Sequence, residues 1–74
     1  MAWEVGFFVD GRASGAAPRD RPSLFRTEAD ALTHARILLH RAPEACVEVF
    51  DRGAGRRVVY RLRGGRMVAL AHPP

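Results

Sequence analysis

No acidic side chain follows Asp51, and the chain contains no lysine, asparagine or glutamine anywhere. Residues 1–51 hold all eight acids and six of the arginines. Residues 52–74 hold the other six: Arg52, Arg56, Arg57, Arg61, Arg63 and Arg66. The net charge of +4 is therefore a −2 body carrying a +6 segment, and charge this lopsided points to an anionic partner. The missing lysine says less, because an arginine-only basic set is what a GC-rich bacterial genome produces. The placement of the arginines carries the information. A single cysteine, Cys46, excludes an internal disulfide framework. No apolar run reaches the roughly 18 residues of a membrane helix. Met1-Ala2-Trp3-Glu4 lacks the basic start and apolar stretch of a secretory signal. These absences predict a cytoplasmic protein that does not enter a membrane.

Catalytic and metal-binding patterns are also missing. His34 and His40 lie six residues apart, about 600° of helical rotation, so they do not share a face as metal ligands at i, i+4 would. Cys46 has no CxxC partner. Asp10, Asp20, Glu44, Glu48 and Asp51 are scattered, with no paired-carboxylate spacing. The segment from Asp10 to Gly15 matches neither the phosphate-loop nor the dinucleotide pattern. The expectation is a non-enzymatic protein with no cofactor and no metal.

What is present is globular. Seventy-four residues with 47% apolar and 27% charged side chains suffice for one small domain, 1–74, but not two. Residues 3–9 alternate: Trp3, Val5, Phe7 and Val9 on one face, Glu4, Gly6 and Phe8 on the other, the mark of a half-buried strand. Residues 10–22, rich in Gly, Ala, Pro and Arg, predict a long flexible loop. A short extended piece, Ser23 to Arg26, leads to a helix. Thr27 is its N-cap, with Glu28 and Asp30 in the first turn. Ala31, Leu32, Ala35, Leu38, Leu39 and Ala42 form its apolar stripe, and Pro43 stops it. Residues 45–51, 56–63 and 66–71 then read as three strands. They are joined by a turn at 52–55 and a two-residue hairpin at Gly64-Gly65. Residues 72–74 predict a frayed tail.

The three strands can be registered by pattern. If Asp51 faces Arg56, then Val49 faces Val58, Val47 faces Tyr60 and Ala45 faces Leu62, all apolar. Across the hairpin Leu62 faces Met67, Tyr60 faces Ala69 and Arg61 faces Val68. On the reverse, Glu48 faces Val59 and lies diagonal to Arg57 and Arg61. The predicted fold is α+β: one helix packed on a four- to five-stranded antiparallel sheet in the order β-β-α-β-β-β. Its apolar face meets the helix and its other face is left uncovered.

Arg57, Arg61 and Arg63 then project from that uncovered face, with Arg66 on the next strand and Arg19 and Arg21 in the first loop. These six form the candidate surface for nucleic acid or an acidic protein surface. Phe50 could stack on a base. Val59, Val68 and Leu70 on the same face, with Ile37 off the helix stripe, equally suit a homodimeric protein-interaction module. No zinc-finger spacing, RNA-binding strand motif or helix-turn-helix is present, so the two readings stay open.

The opening strand Trp3-Glu4-Val5, the helix start Phe25-Arg26-Thr27-Glu28-Ala29-Asp30-Ala31 with Ala35, and the strand and turn Val47-Glu48-Val49-Phe50-Asp51-Arg52-Gly53 together resemble a family of small bacterial domains of unknown function. The likeness spans residues 3–53. It implies a strand, a Thr-capped helix and a strand-turn-strand, and no activity. The long first loop and the arginine-rich strands depart from that pattern.

Overall fold

The computed structural model describes residues 2–8 and 22–70, with the side chain of Ala54 excepted. Strand β1 is Trp3–Phe8, β2 is Ser23–Phe25, helix α1 is Glu28–Arg41, β3 is Cys46–Asp51, β4 is Arg57–Arg63 and β5 is Arg66–Ala69. A single 3-10 turn, Arg52–Ala54, joins β3 to β4. The strands form one antiparallel sheet in the order β2-β1-β3-β4-β5, with α1 packed on one face. The expected class and element order are therefore observed. The 10–21 stretch of the first loop, Arg19 and Arg21 within it, and the 72–74 tail lie outside the described residues.

Helix α1 begins as its sequence dictates. The Thr27 hydroxyl accepts from the Asp30 amide at 3.2 Å, satisfying one of the donors a helix start leaves free. Ala31, Ala35 and Leu39 are buried at i, i+4 spacing, with Leu32 and Leu38 partly buried beside them. They meet Val5, Val47, Val49 and Leu62 from β1, β3 and β4 in the main core, and Trp3, Phe7, Phe25 and Tyr60 close its edge. The small side chains of Ala31 and Ala35 let the helix approach the sheet closely. Tyr60 reaches past the core to donate its hydroxyl to Oε1 of Glu28 in the first helical turn, which raises the Tyr60 pKa.

The β4–β5 register is the expected one: Tyr60 pairs with Ala69, Arg61 with Val68 and Leu62 with Met67. The β3–β4 register is not. Asp51 pairs with Arg57, Val49 with Tyr60, Val47 with Leu62, Glu48 with Arg61 and Cys46 with Arg63. Two one-residue insertions explain this. The turn runs one residue longer than expected, because Gly55 (φ 72°) and Arg56 (φ 57°) are both left-handed. A β-bulge then places one extra residue on β4 between the Val49–Tyr60 and Phe50–Val58 pairs. The combined shift is even, so Val47, Val49, Tyr60 and Leu62 still face the helix. Between turn and bulge the shift is odd, and there the faces exchange. Val58 moves onto the reverse face opposite Phe50, and Arg57 moves to the helix side opposite Asp51.

The reverse face is also not left uncovered along β1 and β3. Phe8, Cys46 and Phe50 are buried there as a second cluster, with Val58 packed against it. The sequence device is Gly6. A Cβ at this position would lie 3.1 Å from the Phe50 ring and 3.2 Å from the Phe8 ring, so both rings close over the glycine. Because those rings are held in a packed cluster, Gly6→Ala is expected to cost about 1–2 kcal/mol through overpacking. Urea denaturation at constant m-value would read that loss.

Candidate functional site

Two carboxylates lie buried on the reverse face, and arginines of the acid-free segment meet both. Glu48, 0% exposed at the centre of β3, accepts from Nε and Nη2 of Arg61 at 3.2 and 3.1 Å across the β3–β4 ladder. Glu4, 5% exposed on β1, accepts from Arg56 through two bonds, Nη2 to Oε2 at 2.7 Å and Nε to Oε1 at 3.3 Å. Such a paired fork is the strong form of the charge-assisted bond. The hydrogen bond to Glu4 raises the Arg56 pKa, holding the guanidinium charged. The Nε of Arg52 lies 3.9 Å from the same carboxylate. The Arg56 guanidinium also sits over the Phe50 ring, 4.4 Å from its centroid, a cation–π contact.

Much of the +6 segment is thus spent within the fold. Burying two carboxylates requires matched donors, and Arg56 and Arg61 supply them. Cys46 is enclosed beside this network. Burial, then the neighbouring Glu48 charge, pushes its thiol pKa up, which makes it an inert strand residue.

The candidate residues named from sequence are dispersed. Arg61 is half-buried and tied to Glu48. Phe50, at 5% exposure beneath Arg56, is not available to stack on a base. Arg57 is exposed but sits on the helix side of the sheet, at the opposite end of β4 from Arg63, about 20 Å away for a strand of this length. Val59 and Leu70 are half-buried and joined by a bond from the Leu70 amide to the Val59 carbonyl. Val68 and Ile37 are exposed, on the sheet and on the helix respectively. Of the candidate arginines among the described residues, Arg63 and Arg66 are the two directly opposed. They form the closing pair of the β4–β5 ladder, across Gly64-Gly65. Both glycines have positive φ, 59° and 77°, as a type I′ hairpin turn demands.

Sequence reasoning missed Arg56 and Glu4 as partners. They are separated by most of the chain, Glu4 in β1 and Arg56 in the turn that leads to β4, a strand that is not β1's neighbour in the sheet; the left-handed backbone at Gly55-Arg56 shapes that turn. An arginine directly after a glycine in a turn was the available signal. Compared with protein-family models, curated proteins and solved structures, the chain matches none. Among the described residues no helix is long and apolar enough to cross a membrane.

Proposed function

We propose that this chain is a small binding module that contacts the phosphate backbone of a nucleic acid through the tip of its β4–β5 hairpin. The observation that carries this reading is the Arg63–Arg66 pair. Like charges directly opposed across a ladder repel, and no acid from residue 52 to 70 offsets them. A bridging phosphate oxygen would relieve that repulsion while accepting from both guanidiniums. A two-stranded ribbon with a tight glycine turn is also slim enough to approach a groove. Arg56 and Arg61 are held by the buried carboxylates, so the contact is small and rests on charge, without base recognition.

Two phosphate contacts give a slope of about −1.8 in log affinity against log salt. Retention of a short duplex by the wild type is therefore expected at low salt and lost towards physiological salt. The double variant Arg63→Ala/Arg66→Ala should lose retention throughout, and Arg57→Ala should keep it. Unchanged retention in the double variant would overturn the reading.

One observation favours a second reading, a homodimeric interaction module. Strand β5 ends the sheet, all four of its residues are exposed, and Met67 and Val68 are 43% and 52% exposed. An open apolar edge of this kind can pair with a second copy. Solution mass through the same salt series separates the two: an edge-paired dimer would barely respond to salt.

A further inference from the structure

Between the C-terminal half of α1 and the β4–β5 hairpin lies an open cleft of about 400 Å³. Its floor is apolar, made of Leu39 and Leu62 from the core together with Met67. Its mouth carries Arg36 and His40 from the helix. Arg66 contributes to the rim, but its register opposite Arg63 turns its side chain to the other face of the sheet. No acidic residue lines it among the described residues. Gly65 forms part of the wall, where a φ of 77° keeps the position clear of a side chain.

We infer that this cleft binds a small amphipathic anion, a carboxylate or phosphate head on an apolar body. The volume is in the lower part of the range of about 300–1,000 Å³ typical of small-molecule sites. An apolar interior with a few convergent polar groups is also the usual make-up of such sites. The decisive group is Arg36. Its Nη2 donates toward the Met67 sulfur at 4.0 Å, a weak acceptor for a strong, planar, charged donor. No carboxylate of the described residues forms an ion pair with Arg36 or Arg66. A guanidinium lying across an apolar floor and spent on a thioether has its fork available for a bidentate anion.

The helix dipole fixes where the head must sit. The last carbonyls of α1 carry partial negative charge and oppose an anion, but only within the final turn. Arg36 lies one turn further back, before Arg41 ends the helix. The anionic head therefore belongs at Arg36, against Met67, and the apolar body runs over Leu39 and Leu62 toward Pro43.

The test is titration of the whole chain with decanoate, decyl phosphate and decanol below their aggregation concentrations, followed by calorimetry and amide chemical shifts. Both anions should bind saturably at one site, moving the signals of Arg36, Leu39 and Met67, and the tighter of the two identifies the head group. Decanol should bind at least tenfold more weakly. Arg36→Ala should weaken the anions about tenfold, the value of one charge-assisted contact. Met67→Glu, at an exposed position that leaves the core intact, should abolish binding. Arg63→Ala, outside the cleft, should leave binding unchanged while impairing nucleic-acid retention, so this inference and the hairpin-tip reading fail separately. Equal affinity for decanol, undiminished binding by Arg36→Ala, or an equal loss in Arg63→Ala would each overturn the proposal.

Discussion

Replacing Arg61 with leucine should destabilise the fold by about 3 kcal/mol, the low end for breaking a buried ion pair. The loss falls on Glu48. That carboxylate is 0% exposed, and the variant deprives it of the Nε and Nη2 donors of Arg61 while leaving its charge in the sheet. The low end applies because the Arg61 side chain is itself 37% exposed, so part of the interaction is already screened. For a 74-residue domain, whose total stability is about 4–11 kcal/mol at typical values per residue, this is a large fraction. The double variant Glu48→Leu/Arg61→Leu should recover most of it, since an apolar pair of similar size in place of a buried ion pair is often neutral or better. Urea unfolding of the two single variants and the double variant closes the cycle. A double variant as unstable as Arg61→Leu alone would mean that the face depends on the charges themselves.

Arg56 sets two effects against each other. Its left-handed backbone costs about 1–2 kcal/mol for a residue with a Cβ. Its side chain, in return, supplies a two-bond pair to buried Glu4 and covers the Phe50 ring. Arg56→Ala keeps the strain and loses the pair. With the guanidinium 55% exposed and Arg52 still 3.9 Å from the carboxylate, the expected loss is about 2 kcal/mol. Arg56→Gly loses the same pair but relieves the backbone, so it should be about 1 kcal/mol more stable than Arg56→Ala and still below the wild type. Thermal unfolding of the three proteins measures both terms. A glycine variant more stable than the wild type would show that strain outweighs the ion pair.

These two side chains also mark how far the sequence could be read. Period-two and period-3.6 patterns placed every element within a residue or two, and Thr27, Pro43 and Gly64-Gly65 were sound local signals. Those signals are local, and so was the success. The β4–β5 register followed from a two-residue turn that admits only one pairing. The β3–β4 register depended on a longer turn and a bulge, neither of which has a sharp sequence signature, and two single-residue slips cancelled in the core while exchanging the faces of Arg57 and Val58. The surface expectation failed for a related reason. Glu4 reads as an ordinary outward-facing strand acid, and nothing near it in sequence says that Arg56 will cover it. With Phe50 beneath Arg56 and Arg61 bound to Glu48, the broad arginine face contracts to Arg63 and Arg66.

The segregation of charge along the chain has a further consequence during synthesis. Strand β1 is made first but lies inside the sheet, between β2 and β3, and its Glu4 waits for an arginine 52 residues away. Glu48 likewise waits for Arg61, 13 positions later. Until the turn at residues 52–56 and then β4 have been made, the nascent chain holds two carboxylates without the arginines that pair with them in the fold. The two strands at the centre of the sheet's acidic half thus receive their charge partners only from the last third of the chain.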